Sequence, residues 1–205
     1  MPDAEEGVTL AILAGGRGRR LGGIPKGLLL RDGRPLLAHL LALSQRFDDV
    51  FLVTPDPSPY RGFAVRTVAD VVPERGAPGG VHAALVSART PWVLAVGADM
   101  PFVTYRAADR LLAERGPEVD AVGFEVEGRL EPLLACYRSA AAGAFAAALE
   151  REPSFRTIWQ TLRARRLPAA ALAEVDPGCR AVVSVNTPED MRRWGVTPPA
   201  QGTTG

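Results

Sequence analysis

Lys26 is the one lysine among the 24 basic residues of this 205-residue chain, and Asn186 is its one asparagine. Abundant Arg, Ala, Gly and Pro beside scarce Lys, Asn and Ile indicate a GC-rich coding sequence. A lysine or asparagine kept under that pressure marks a place where arginine or aspartate would not serve. Lysine carries a compact point charge on a flexible stem, whereas arginine presents a broad planar fork. Lys26 lies near the end of the stretch LAGGRGRRLGGIPKGLL, Leu13 to Leu29. A strand opening into such a glycine-rich loop suits a phosphate, because glycine lets backbone N–H groups approach the anion closely. Two common phosphate motifs do not fit. In a GxGxxG reading from Gly16 and Gly18, the third glycine's place holds Leu21. The P-loop requires Gly before its lysine and Ser or Thr after it, but Lys26 lies between Pro25 and Gly27. Arg17 and Arg19 read as a solvated loop face.

Asp99, in GADMPFV, is the carboxylate best placed to serve that phosphate. It stands just past the apolar run WVLAVG, at the carboxyl end of a central strand, where open α/β sheets bind ligands. Asn186 belongs to SVNTPEDM, in which Thr187-Pro188-Glu189-Asp190 reads as a capping box with Pro at the first helical position. The run AVVSV before it reads as a last strand, which puts Asn186 on the same sheet edge as Asp99.

Buried strands are expected at residues 8–14, 50–54, 63–68, 92–99, 120–126, 131–137 and 181–185. Helices are expected from Pro35 and at 79–89, 105–115, 140–150 and 154–165. Continuous apolar strands alternating with helices imply a mostly parallel sheet covered on both faces. The expected architecture is therefore a single three-layer α/β/α domain, Rossmann-like, over residues 1–195. EVEGRLEPLLACY reads as a small antiparallel insertion near one edge. Residues 196–205, rich in Pro, Gly and Thr, read as a fraying tail.

A net charge of +1 makes no case for nucleic acid or a membrane surface, and no segment approaches the roughly 18 apolar residues of a membrane span. Cys136 and Cys179 lie far apart without a CxxC pattern, and MPDAEEG lacks the features of a signal peptide. The expected compartment is the cytoplasm. The sequence carries no signal for an oligomeric state.

The arrangement LAGGxxxRxGxxxKxLL resembles the signature of the MobA-like nucleotidyltransferases. Leu13, Ala14, Gly15 and Gly16 match its strand-end tetrad, Arg20-Leu21-Gly22 its Arg-Met-Gly, and Lys26 its lysine. Ala98-Asp99-Met100-Pro101 is similar to the family's metal-binding segment, and Val185 to Asp190 to its Val-Asn-Thr-Pro-Glu-Asp/Glu. Asp70 and GAPGGVHAAL resemble its base- and ribose-binding Asp and its Gly-Pro-Leu-Ala-Gly helix opening, with Gly76 and Gly80 in register. Pro101 departs from the Asp-x-Asp of sugar-transferring enzymes of related fold. Further departures are Glu131, where Gln or His is usual, Pro25, where Asp is frequent, and the Ala77-Pro78-Gly79 replacements. Pro25-Lys26 resembles the Pro-Lys of sugar-nucleotide pyrophosphorylases.

The resemblance implies a nucleotidyltransferase (GT-A-like) fold and a Mg²⁺-dependent transfer of GMP from GTP to a molybdopterin-type acceptor, with release of pyrophosphate. Charge builds on the α-phosphate and the departing pyrophosphate, so placed cations carry most of the catalysis. Lys26, Arg20 and Asp99 are the implied catalytic residues. Leu13, Ala14, Gly15, Gly16, Lys26, Asp70, Gly80 and Asp99 are implied in nucleotide binding. Asp99 is the implied Mg²⁺ ligand with Asn186 beside it, and Glu131 and Arg156 are implied on the acceptor. Proteins that insert the finished cofactor are the implied partners. His39 and His82 fall in helical segments, which suits a phosphate nucleophile that needs no base. Three alternatives remain open. One is CTP transfer to molybdopterin, another is transfer to a different acceptor such as phospholactate or a sugar phosphate, and the third is a non-catalytic nucleotide-binding protein.

Overall fold

The computed structural model describes residues 7–15, 19–69, 75–151 and 154–199. Its main sheet is built on β1 (Val8–Leu13), β4 (Asp49–Val53), β5 (Arg66–Val68), β6 (Trp92–Gly97), β7 (Ala121–Val126), β8 (Arg129–Arg138) and β9 (Ala164–Pro168), in the order β5-β4-β1-β6-β8-β7-β9. All neighbouring pairs are parallel except those that β8 makes with β6 and β7. A second, small antiparallel sheet joins β2 (Leu30–Arg31), β3 (Arg34–Pro35) and β10 (Val196–Thr197).

Every residue of β1 and of β6 is buried, which is what their unbroken apolar runs require. Successive side chains point to opposite faces, so Val8, Leu10 and Ile12 enter one core while Ala11 and Leu13 enter the other. The first core is closed by α1 (Leu36–Leu41), α3 (Tyr105–Leu112) and α6 (Ala169–Ala173). The second is closed by α2 (Gly76–Ser87), α4 (Ala142–Leu149) and α5 (Phe155–Thr161). This is the expected three-layer α/β/α arrangement. A third cluster unites Leu21 and Leu29 from the glycine-rich segment with Leu36, Val185 and Val196, and Met191 and Trp194 of α7 (Pro188–Trp194) pack on it.

Four expectations are corrected. AVVSV forms no strand: Arg180–Val182 is a 3-10 turn, and the chain then runs extended across the end of β6. The helix expected over 154–165 stops at Thr161, and β9 follows. There Arg165 and Arg166 face solvent while Leu167 is buried, a charged edge strand that local composition disguises. The antiparallel β8 is not near the edge but sits between β6 and β7. Val196 and Thr197, read as part of the tail, pair with Arg31 and Leu30, and Val196 is buried. Among the described residues no helix is long and apolar enough to cross a membrane.

The capping box is formed as read. Thr187 Oγ1 accepts from Asp190 N (3.1 Å), and Asp190 Oδ2 accepts from the N–H groups of Thr187 and Asn186 (2.9 Å each). Thr187→Ala is expected to cost about 1 kcal/mol of stability, read as a lower denaturant midpoint with an unchanged slope.

Candidate active site

Pro25 opens the turn that delivers Lys26. Its φ of −60° and ψ of 121° lead into a 3-10 turn, Lys26–Leu28, closed by Leu28 N donating to Pro25 O (2.9 Å). The fixed φ of proline suits this entry. Gly27 is buried beneath the next strand ends. A Cβ there would lie 3.2 Å from the Tyr60 ring and 3.5 Å from Ala98 Cβ. The same tight fit explains why no side chain follows Lys26. Burial pushes the Tyr60 phenol up to about 12, against the opposing hydrogen bond with the Gly27 backbone.

Lys26 Nζ donates to Asp99 Oδ2 (2.7 Å) and to Asn186 Oδ1 (2.5 Å). Asn186 Nδ2 donates to Ser184 Oγ (2.9 Å), which orients the amide oxygen toward the lysine. Val185 N donates to Asp99 O (2.9 Å), tying this segment to the end of β6. The side chains of Lys26 and Asp99 are 22% and 13% exposed, so the pair is largely shielded yet reachable from the cavity above it.

That cavity has a volume of about 760 Å³. Leu13, Ala14 and Gly15 at the end of β1 and Gly80 of α2 line it on one side, and Glu131 and Leu133 of β8 on the other, with Lys26, Asp99 and Asn186 between. Gly80 lets α2 come close to β1, since a Cβ there would lie 3.0 Å from Leu13 Cδ2. Helix α2 begins at Gly76, earlier than read, and admits Pro78 in its first turn, where no backbone N–H is needed. Glu131 Oε1 accepts from Leu133 N (3.0 Å). Burial pushes the Glu131 carboxyl up to about 7, helped by the Asp99 charge and opposed by the Leu133 N–H.

The Asp99 and Asn186 oxygens converge on a single ammonium, so they already form a hard-oxygen pair arranged around a cation. Such a donor set fits Mg²⁺ when phosphate oxygens and water supply the rest. Among the described residues no group of three or more His, Cys, Asp and Glu side chains could hold a metal without such help.

The model of the MobA-like NTP transferase domain matches residues 10–169. The chain belongs to the MobA-like NTP transferase family. It is 34% identical over 196 residues to the molybdenum cofactor guanylyltransferase of Pseudomonas paraeruginosa, covering 92% of this chain and 96% of that protein. It is 27% identical over 190 residues to that of Desulfosudis oleivorans, covering 92% and 94%. The crystal structure of molybdopterin-guanine dinucleotide biosynthesis protein A from Archaeoglobus fulgidus superimposes with a TM-score of 0.79 at 25% identity, covering 91% of this chain and 96% of that one. By family the chain is a nucleotidyltransferase.

Of the candidate site residues, Leu13, Ala14, Gly15, Lys26, Gly80, Asp99, Glu131 and Asn186 line this cavity. Arg20, in the turn Arg19–Leu21, and Arg156, on α5, are exposed and do not line it. Gly16 and Asp70 lie outside the described residues. Asn186 and Asp99 both bond Lys26 Nζ, but Asn186 does so from an extended segment rather than a strand end. His39 Nε2 donates to Arg31 O (2.9 Å), and His82 is buried in α2. Ser184, Tyr60 and Gly97 were not singled out from the sequence. Ser184 had only its adjacency to Asn186 as a signal, and Tyr60 had none.

A Cβ on Gly97 would lie 2.7 Å from Asp99 Oδ1 and 3.3 Å from Met100 Cγ. Gly97→Ala is therefore expected to displace the Asp99 carboxylate and lower turnover about 10- to 100-fold, with the circular dichroism spectrum unchanged.

Proposed function

We propose that this chain is a Mg²⁺-dependent guanylyltransferase that transfers GMP from GTP to molybdopterin and releases pyrophosphate. The observation that carries the reading is the convergence of Lys26, Asp99 and Asn186 on one point of a cavity large enough for a nucleotide and an acceptor. The relatives named molybdenum cofactor guanylyltransferase support the choice of base and acceptor.

An oxygen of the acceptor's terminal phosphate attacks the α-phosphorus of GTP. The bond from the α-phosphorus to the bridging oxygen breaks, and its electron pair leaves with pyrophosphate. The attacking phosphate is anionic at neutral pH, so no side chain has to remove a proton, which agrees with both histidines being engaged in helices. Backbone groups of Leu13 to Gly16, with Asp70 and the close-packed Gly80, hold guanine and ribose. Lys26 leaves Asp99 and Asn186 when the triphosphate arrives and stabilises the charge that grows on the α-phosphate. Asp99 and Asn186 would hold Mg²⁺, which when bound neutralises phosphate charge. No step is assigned to Arg20 or Arg156. The reading includes a cytoplasmic setting, which the need for GTP supports.

Pyrophosphate release measured with each of the four NTPs, Mg²⁺ and molybdopterin tests the reading. Release with GTP is expected. Preference for CTP overturns the choice of base, and nucleotide binding without release under any combination overturns catalysis.

A further inference from the structure

Glu131 is placed in the cavity by an irregularity in β8. β7 and β8 pair Gly123 with Ala135 and then Glu125 with Leu130, so the four residues Glu131 to Leu134 face the single residue Phe124. Such a bulge re-aims side chains beside a site. This one is held from beneath: Tyr137 Oη donates to Pro132 O (2.8 Å), Trp159 Nε1 donates to Tyr137 Oη (3.2 Å), and Leu133 N donates to Glu131 Oε1 (3.0 Å). Trp159 itself packs against Gly123, where a Cβ would lie 2.7 Å from its ring. A buried aromatic stack therefore fixes the backbone on which the carboxylate stands.

The carboxylate has no cationic partner among the described residues. Lys26, the lysine of the cavity, is bound to Asp99 and Asn186. Glu131 faces a second acid, Asp99, and its one described hydrogen bond is to the Leu133 backbone. A carboxylate seeks N–H donors, and Glu131, half-buried on the cavity wall, can take them from a ligand that displaces water there. The strand order says which ligand. The nucleotide cradle belongs to β1 and α2 and the reacting groups to β6, while Glu131 lies one strand further, on β8. It is on the side left for the acceptor.

Resting on the function proposed above, we infer that Glu131 is the residue that selects the acceptor's ring, by accepting hydrogen bonds from the paired N–H donors of its 2-amino-4-oxopyrimidine edge. A pterin offers the ring N3–H and the 2-amino group side by side, which matches a carboxylate. Lumazine, with oxygen in place of the amino group, turns one donor into an acceptor and sets it against the carboxylate. Guanine carries the same donor pair, so the separation between the β1 side and the β8 side is what assigns Glu131 to the acceptor.

The test is fluorescence or calorimetric titration of the full chain, saturated with GTP and Mg²⁺ and lacking molybdopterin, with pterin and with lumazine. Wild type is expected to prefer pterin by about tenfold or more, and Glu131→Gln to lose that preference while its affinity for GTP stays within about twofold. Glu131→Asp, which keeps the charge on a shorter stem, is expected to retain part of the preference. Equal binding of both pteridines by wild type overturns the inference, as does a loss of GTP affinity in Glu131→Gln as large as its loss of pterin affinity. Failure of wild type to bind GTP would instead overturn the function on which the inference rests.

Discussion

Lys26→Gln is expected to lower the rate of pyrophosphate release about 100- to 1,000-fold, the usual cost of removing one placed group that stabilises transition-state charge. The same substitution is expected to tighten the binding of Mn²⁺ to the nucleotide-free protein. In the free chain the Lys26 ammonium lies 2.7 Å from Asp99 Oδ2 and 2.5 Å from Asn186 Oδ1, and so holds both candidate metal oxygens. Removing it leaves the Asp99 and Asn186 oxygens without the cation that occupies them and keeps a divalent ion away. Paramagnetic resonance of Mn²⁺ reads the second effect without turnover. Opposite signs for the two effects distinguish a lysine that exchanges between carboxylate and phosphate from one that merely props the loop. A structural prop would weaken both. Lys26→Arg is expected to rescue little, because Gly27 is wedged against Tyr60 and Ala98 and leaves the turn no freedom to make room for a wider head group.

Asp99→Asn is the second large effect. It keeps the shape of the side chain and removes its charge, and the expected loss of turnover is about 100-fold or more, corresponding to several kcal/mol of phosphate charge stabilisation. Its signature differs from that of Lys26. Mn²⁺ binding to the free protein falls, and GTP binding measured with EDTA is preserved or strengthened, because Lys26 is no longer tied to a carboxylate and is free for the triphosphate. Isothermal titration with and without divalent cation separates these outcomes. Loss of GTP affinity in EDTA would mean that Asp99 supports the nucleotide pocket itself rather than its metal. The change should leave the backbone bond between Val185 N and Asp99 O in place, so the segment carrying Asn186 keeps its position.

The strands that carry the site were legible because they are buried on both faces. β1 and β6 are unbroken apolar runs, and their alternate residues enter two separate cores. The glycine-rich turn, Lys26, Asp99 and the capping box after Asn186 were legible for a related reason, since each depends on local residue chemistry that few sequences satisfy. Where local pattern and tertiary setting disagree, the reading failed. ARRLP has the composition of a helix end but adds an edge strand beside β7, with its arginines turned to solvent. AVVSV has the composition of a buried strand, yet it crosses the end of β6 with one backbone bond to Asp99 instead of a ladder.

Residue types and their spacing thus specified a glycine-rich loop ending in a lysine, a carboxylate at a strand end and an asparagine set before a capped helix. They could not specify that Lys26 and Asn186, 160 positions apart, would share a hydrogen bond. That contact depends on the third cluster, in which Leu21, Leu29 and Leu36 from the first segment bury themselves against Val185 and Val196 from the last. Nor could they specify that Glu131 would enter the same cavity, which follows from the bulge in β8 and the aromatic stack beneath it. Both depend on apolar surfaces distant in sequence finding one another. Hydrophobic burial is non-directional and long-range in the chain, and only the folded packing shows which surfaces it joins.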